Sequence, residues 1–443
     1  MQNIISAVES YRDMILDAER YIWRNPETGY REYKTSAFME QKFSELGYSL
    51  TKAEGITGFF TTVDTGREGP VVLVLAELDS VICPTHPDAD KVTGAVHACG
   101  HNAQCAAMLG IAAALKDEKV LESLCGRIKL CVVPAEELLE IEYRSELKKE
   151  GKIKYFGGKC EFLHRGYFDD VDMALMVHTA GGFAVMRGAN GCLAKNIIYK
   201  GVAAHAGGSP EHGRNALYAA NCGLNAINAI RETFRDSDHV RVHPIITHGG
   251  DIVNAIPETV RLESYVRGKS FEAIYENNIK VNRALTGAAL SIGTNIEIID
   301  IPGYSPLNND LGLMKVSRDA ALLLDPDVNF YFGEDATDTG STDMGDISCV
   351  MPVVHPYGPG SRGKGHGNNY EIHDPEAACV KSAEWQLVML KLLLEDGATR
   401  AKEIIDGFKP RFSSKEEFLS YQDSLNISGD RIIYSEDKAE VRL

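Results

Sequence analysis

The hexapeptide His97-Ala98-Cys99-Gly100-His101-Asn102 delivers one thiol and two imidazoles to a single turn, a combination suited to holding a metal ion. It lies between an apolar run, Val71 to Ala76, and an alanine-rich stretch, Ala103 to Leu115, which reads as strand, ligand-bearing loop, then helix. A helix N-terminus and neighbouring imidazoles favour a thiolate at Cys99, the form that binds a borderline-soft cation such as zinc. Taken alone, the hexapeptide is equally consistent with a buried structural cysteine and two incidental histidines.

Further clusters fall at comparable places. Ile128 to Val133 reads as a buried strand and runs directly into Pro134-Ala135-Glu136-Glu137. Adjacent carboxylates at a strand's C-terminal end are costly unless paired, metal-bound or solvated. Val171 to Val177 is another apolar strand, and it terminates at His178. Late in the chain, His366 sits in a glycine-rich loop and His373 immediately precedes a helix start. Cys99, His101, Glu137, His178 and His373 together supply nitrogen, oxygen and sulfur donors for two divalent ions, with one residue shared; the part of His366 is left open. Glu136 then stays free beside the pair, a carboxylate able to take a proton from water and return it to a leaving amine. A thiolate donor leans toward zinc, with manganese as the alternative. Two other readings stand beside this one. In the first, Cys99 is a nucleophile with His97 or His101 as its base. In the second, the fold binds a ligand without catalysis, although a pure binder has no use for a spare carboxylate at a metal site.

These residues need a frame. Helices are expected over Ile4 to Trp23 and Thr35 to Leu46, and strands over Gly58 to Val63, Val71 to Ala76 and Ile128 to Val133, with the Ala103 to Leu115 helix between the last two. This alternation predicts an α/β unit with a mostly parallel sheet. From about Gly191 the order changes to strand (Leu193 to Tyr199), helix (Asn215 to Phe234), two strands (Val240 to Thr247, Thr259 to Arg267), helix (Phe271 to Leu290) and strand (Asn295 to Ile299), the ferredoxin-like α+β pattern. After Pro302 helices return at Leu311 to Leu324 and Glu376 to Leu394, and the charged tail beyond Glu395 reads as a helix or two without chemistry. The expected organisation is therefore a catalytic unit in two pieces, 1–190 and 303–443, with 191–302 inserted between them.

Composition agrees. A chain of 443 residues, 44% hydrophobic and 25% charged, is an ordinary globular protein long enough for two domains. A net charge of −17 argues against a nucleic-acid or anionic-membrane partner. The ten cysteines form no CxxC pair, and Met1 to Trp23 interleaves charged with apolar residues, so the chain reads as a reduced, cytoplasmic enzyme.

With these motifs in order, the chain resembles the two-domain dizinc peptidases and amidohydrolases that include aminoacylase and carboxypeptidase G. The likeness is strongest to the branch of the indole-acetyl-amino-acid and aminobenzoyl-glutamate hydrolases. It is carried by Ala76-Glu77-Leu78-Asp79, His97 to His101, Pro134 to Glu137, His178, Gly201 to Ala206, Gly340-Ser341-Thr342-Asp343 and His373. The resemblance implies hydrolysis of a small amide, such as an N-acyl amino acid, an aminobenzoyl-glutamate-like compound or a dipeptide, at two divalent ions per protomer. It implies Cys99 as the bridging ligand, His101 and His178 on one metal, Glu137 and His373 on the other, and Glu136 as general base. It further implies that the inserted unit is a lid and dimerisation domain, with His205 acting across a homodimer interface and Asn254 and Arg267 receiving a substrate carboxylate. Asp79 and Asn102 fall where residues supporting the ligands are expected. The chain departs from the branch at Glu77 and Asn102, where Asp is usual, at Gln104, where His is usual, and at Leu138 to Tyr143, where glycines often follow the Glu pair.

Overall fold

The computed structural model describes residues 1–436 and 438–442. Its first sheet has six strands in the order Thr51–Lys52, Phe59–Asp64, Arg127–Val133, Val71–Glu77, Met173–Leu175, Val353–Val354. Phe59–Asp64 pairs antiparallel with both of its neighbours, while Arg127–Val133, Val71–Glu77, Met173–Leu175 and Val353–Val354 run parallel to one another. Val71–Glu77 is buried along its whole length, as a central strand covered on both faces must be. Because the parallel strands share a direction, Glu77, the Pro134–Glu137 loop and His178 all emerge at the same edge of the sheet.

The helix His101–Ala114 starts two residues earlier than its small side chains suggest, which puts His101 in its first turn. Gly100 caps it at φ 92°, and a Cβ there would come within 2.4 Å of the Tyr370 hydroxyl, so this position requires glycine. Every residue of the helix is buried, because Arg12–Trp23 and Ser382–Leu394 pack on it from the side away from the sheet. This apolar assembly fixes the direction in which the ligand-bearing turn points.

The second sheet is antiparallel throughout and is built from Gly191–Lys200, Thr259–Gly268, Asn295–Tyr304, Arg241–Val242 and Ile245–His248. Helices Ala216–Ile230 and Phe271–Ile292 pack against each other and on the sheet. The Asn215 side chain caps the first of them, accepting from the backbone N–H of Leu217 at 2.9 Å and of Tyr218 at 3.1 Å. The single strand expected over Val240 to Thr247 is broken in two at His243-Pro244, since Pro244 has no N–H to give the ladder. The strand expected to end at Ile299 continues through a register shift opposite Cys192 and Leu193 to Tyr304.

A third sheet joins Phe183–Ala189 to Phe330–Asp338, Tyr357–Gly358, His178–Thr179 and Leu307–Asn308. The tail contributes helices Thr399–Gly407 and Lys415–Ser424, and residues 427–431 then run along the outer edge of Asn295–Tyr304. There Asp300 and Ile427 exchange backbone hydrogen bonds of 2.7 and 3.2 Å, and Arg431 N donates to Ile296 O at 2.9 Å. The opposite edge, Ile245–His248, stays bare among the described residues, with Ile245 50% exposed and Ile246 42% exposed. Among the described residues no helix is long and apolar enough to cross a membrane.

Candidate metal centre

The shared edge of the parallel strands gathers donors from four separate parts of the chain. Cys99, His101 and His178 form one group whose ligand atoms lie within 4.8 Å of one another, and Cys99, Glu137 and His366 form a second. Cys99 belongs to both. Its Sγ is 3.4 Å from His178 Nε2, while His178 Nδ1 bonds the Thr179 carbonyl at 2.9 Å. That second bond places the proton on Nδ1 and leaves the Nε2 lone pair facing the thiol. His101 is oriented the same way: its Nδ1 reaches the Asp79 carbonyl at 2.9 Å and Asp79 Oδ1 at 3.2 Å, so Nε2 looks into the pocket. Asp79 also accepts from the Glu137 N–H through Oδ2 at 2.8 Å, so one residue sets both a histidine, through its carbonyl, and a glutamate, through its carboxylate.

His366 Nε2 lies 2.9 Å from Glu137 Oε1, yet Glu137 Oε1 and His101 Nε2 are both buried without a hydrogen bond. Buried polar atoms are otherwise paired. The same pocket buries the carboxylates of Glu77, Asp79, Glu136, Glu137 and Asp343, and among the described residues Lys159 is the one buried ammonium joined to them. An excess of buried negative charge of this kind calls for bound cations. The residues present therefore fit a pair of divalent ions.

The placement of the last histidine is a correction to the sequence reading. His373 is exposed and joins neither group, and His366 stands where His373 was expected. The cause is the glycine-rich turn: Gly363 at φ 88° and His366 at φ 61° fold the loop back until His366 N donates to Ala98 O at 2.8 Å, directly beside Cys99. His373, on the far side of Tyr370, precedes the Glu376–Lys381 helical turn and faces solvent. His97 is buried with both ring nitrogens unpartnered, and burial brings it down to about 3, so it is a neutral packed ring outside both groups.

The electrostatics separate two roles for the adjacent glutamates. Burial pushes Glu137 up, but the His366 and His101 imidazoles outweigh it and hold it at about 2. Glu136 has no such partner, and burial together with Glu77 and Glu137 raises it well above the usual carboxylate range. Its Oε2 is 3.9 Å from His101 Nε2, beyond hydrogen-bond distance. A carboxylate poised to hold a proton is suited to receiving one and returning it. Burial and Glu137 push the Cys99 thiol up, while His101 and His178 bring it down to about 6, which makes it a thiolate at neutral pH.

Sequence reasoning missed one cluster. Lys159 is completely buried, and its ammonium contacts both Glu77 Oε1 and Asp343 Oδ1, while its own N–H donates to Asp343 Oδ2 at 3.0 Å. Glu77 Oε2 accepts from Gln104 Nε2 at 2.9 Å and faces His101 Nε2 at 3.2 Å. Glu77 and Gln104, which looked like isolated departures, thus complete each other. Removing one partner of the buried Lys159–Glu77 or Lys159–Asp343 ion pair would cost about 3–5 kcal/mol. The available signal was a lysine in an otherwise apolar helix start, Gly157-Gly158-Lys159-Cys160. Asn102 points away from the pocket and gives its Nδ2 hydrogen to Glu19 at 2.8 Å.

The remaining expected residues lie on the second sheet unit. His205 and Asn254 are both exposed; their segments are joined only by backbone, through the His205–Ala255 bridge and the Ala206 N to Asn254 O bond of 2.9 Å. Among the described residues neither side chain bonds to a donor of the pocket. Arg267 is half-buried and does reach across: its Nη1 donates to Ser341 Oγ at 3.2 Å, two residues before Asp343.

Known proteins share this organisation. The chain is 28% identical over 363 residues to the Xaa-Arg dipeptidase of Mus musculus, spanning 76% of this chain and 74% of that protein. It is 26% identical over 352 residues to one of the p-aminobenzoyl-glutamate hydrolase polypeptides of Escherichia coli strain K12, spanning 67% of this chain and 76% of that one. Its fold superposes with a TM-score of 0.62 on a Bacillus subtilis protein described as a dinuclear metal binding peptidase of the M20 family, at 18% identity and with 87% and 99% of the two chains covered. Residues 73–391 match Peptidase family M20/M25/M40, a span that contains every donor of the pocket. The chain belongs to that family, and it is a hydrolase of peptide-like amide bonds.

Proposed function

We propose that the pocket holds two divalent ions, zinc or else manganese, and hydrolyses a small amide whose amine side is an amino acid with a free carboxylate. The observation that carries this reading is the pair of donor groups sharing Cys99, with Glu136 beside them and outside hydrogen-bond reach. His101 and His178 would complete one site, Glu137 and His366 the other. The ions supply Lewis acidity and make water a nucleophile at neutral pH. Glu136 takes the proton that water gives up and carries it to the leaving nitrogen, a short path that a carboxylate held near the protonated state can serve in both directions. Arg267, whose planar guanidinium matches a carboxylate in two-point contact, orients the amino-acid end with Asn254.

The second sheet unit, 191–302, serves in this reading as the lid on a catalytic unit formed by 1–190 and 303–443. His205 is exposed and apart from the donors of its own chain, which suits a residue that completes the site of a second copy. The bare Ile245–His248 edge, with Tyr218 63% exposed on the neighbouring helix, offers an apolar face for a homodimer. The N-acyl amino acids, aminobenzoyl-glutamate and dipeptides are the substrate classes to test.

The decisive experiment loads the protein with zinc or manganese and follows that substrate panel with and without a strong chelator. Hydrolysis that needs about two ions per chain is the expected result. Full activity in chelator, combined with loss of activity on thiol alkylation, would instead establish Cys99 as a nucleophile, with His101 as its base or, on the 3.4 Å contact in the structure, His178. Metal content near zero after reconstitution would end the dinuclear reading.

A further inference from the structure

The loop that carries Glu136 and Glu137 has no regular secondary structure, and Ala135 at its start adopts φ 58°, a left-handed conformation that a side-chain-bearing residue avoids. Such a turn persists only when its surroundings over-determine it. Its backbone polar groups account for the restraint one by one. Ala135 N donates to Glu32 Oε1 at 2.8 Å, and Glu32 is itself held through Oε2 by the Thr57 hydroxyl at 2.6 Å. Ala135 O accepts from Gly158 N at 3.3 Å. Glu136 O accepts the hydroxyl of Tyr304. Glu137 N is held by Asp79, and Glu137 O accepts from the buried Arg144 guanidinium, which also reaches Phe156 O at 2.8 Å. Leu138 O accepts the hydroxyl of Tyr265.

The two hydroxyls come from a different place than the rest. Tyr265 lies on Thr259–Gly268 and Tyr304 ends Asn295–Tyr304, both strands of the second sheet, whose last strand runs two residues past the 302 boundary read from the sequence. Two of three successive carbonyls, those of Glu136 and Leu138, are thus fastened to the sheet that also carries Arg267. Tyr265 and Arg267 stand two residues apart on one face of their strand, with the guanidinium 5.3 Å from the centre of the Tyr265 ring.

We propose that Tyr265 and Tyr304 are positioning residues, which set the Glu136–Leu138 backbone from the second sheet so that the base and its neighbouring donor take their places according to where that sheet sits. The inference rests on the proposed role of Arg267 in one respect only. A carboxylate drawn onto Arg267 pulls on the strand that holds Leu138, so substrate capture and alignment of the proton carrier are one mechanical event. Were the hydroxyls merely satisfying buried carbonyls, any comparable bond in the same sheet would matter equally. Tyr199 provides that comparison: it is buried in the second sheet and donates to Leu285 O at 3.2 Å, well away from the loop.

The test makes Tyr304→Phe, Tyr265→Phe and Tyr199→Phe, each losing one hydroxyl and nothing else. We expect the first two to lower kcat about tenfold with KM within about twofold, as displaced catalytic groups do, and Tyr199→Phe to match the parent. The second readout is independent of turnover. In cobalt-loaded protein the thiolate charge-transfer and visible ligand-field bands report the geometry at Cys99 and Glu137, and these should shift for Tyr304→Phe and Tyr265→Phe alone. Equal melting temperatures across the three variants with those two differences establish positioning. Cobalt bands and kcat that are the same in all three overturn it. If the parent protein hydrolyses none of the substrates, the functional reading fails by itself, and the cobalt bands still decide whether the two tyrosines set the loop.

Discussion

In the metal pocket His101, Glu137 and His366 are tied to distant parts of the chain, through Asp79 and Ala98, whereas on the second sheet unit His205 and Asn254 stand exposed and the His205 ring is held only by its own turn, where Nδ1 accepts from the N–H groups of Gly207 and Gly208. The first region is assembled before any ligand arrives. In the function proposed above, the second is completed by what comes to it, a substrate or a second copy. The same contrast runs through two of the buried lysines: Lys159 is gripped by two carboxylates that raise it, while Lys195, in the second sheet, has one, Asp300, and burial wins, lowering it. Buried charge is concentrated at the candidate metal centre, and the second unit uses its polar groups to hold strands and helices together, as Asp300 does with Asn278 and Asn282 at 2.8 and 2.9 Å.

The sharpest way to break this contrast is at Glu136. Glu136→Gln should keep both ions and lose a factor of about 10²–10⁴ in kcat, because only proton transfer is removed. Near-parent turnover would mean that the proton is carried elsewhere. Next is the ligand correction: His366→Ala should bind about one ion per chain in place of about two, measured by elemental analysis of dialysed protein, while His373→Ala retains both. The reverse pattern would restore His373 to the site. On the unassembled side, Arg267→Ala should lower kcat/KM by about one to two decades on a free-acid substrate and hardly at all on its amide, since the lost contact is a charge-assisted one of about 1.5–3 kcal/mol. Equal losses on acid and amide would make Arg267 a structural partner of Ser341. Mixing inactive His205→Ala with inactive Glu136→Gln chains should recover a fraction of parent activity through hybrid sites; none, with exchange of protomers demonstrated, argues that His205 does not act across an interface.

The smallest effect is a proton count. In the metal-free protein Glu137 and Cys99 raise His366 to about 11, so at pH 8 its imidazole carries a proton that it must lose before donating to an ion. Metal binding should therefore release on the order of one to two protons per chain, and affinity should fall as pH falls. Calorimetry in two buffers of different ionisation enthalpy reads the number directly. A value of zero would place the proton elsewhere in the free protein.

Much of the pocket was legible because strand ends announce themselves. Largely apolar, β-branched runs such as Val71 to Ala76 and Ile128 to Val133 read as central strands, and parallel neighbours bring their last residues to one edge. What could not be read was contact between distant segments. Lys159 meets Glu77 across 82 residues and Asp343 across 184, and no local pattern records that pairing. The choice of His366 over His373 depends on positive φ angles in a loop, which spacing alone does not encode. Phe330–Asp338 escaped notice for a different reason. Its Glu334-Asp335 is exposed and interrupts the alternation that marks a strand.

Residues 427–431 occupy one edge of the second sheet, so among the described residues a copy of this chain has a single bare edge there to offer, Ile245–His248. A sheet open on both sides can recruit neighbours at each and grow without limit into a fibre. With one side closed by its own chain, any edge-to-edge association would consume the open strand of each copy and halt at a two-fold pair.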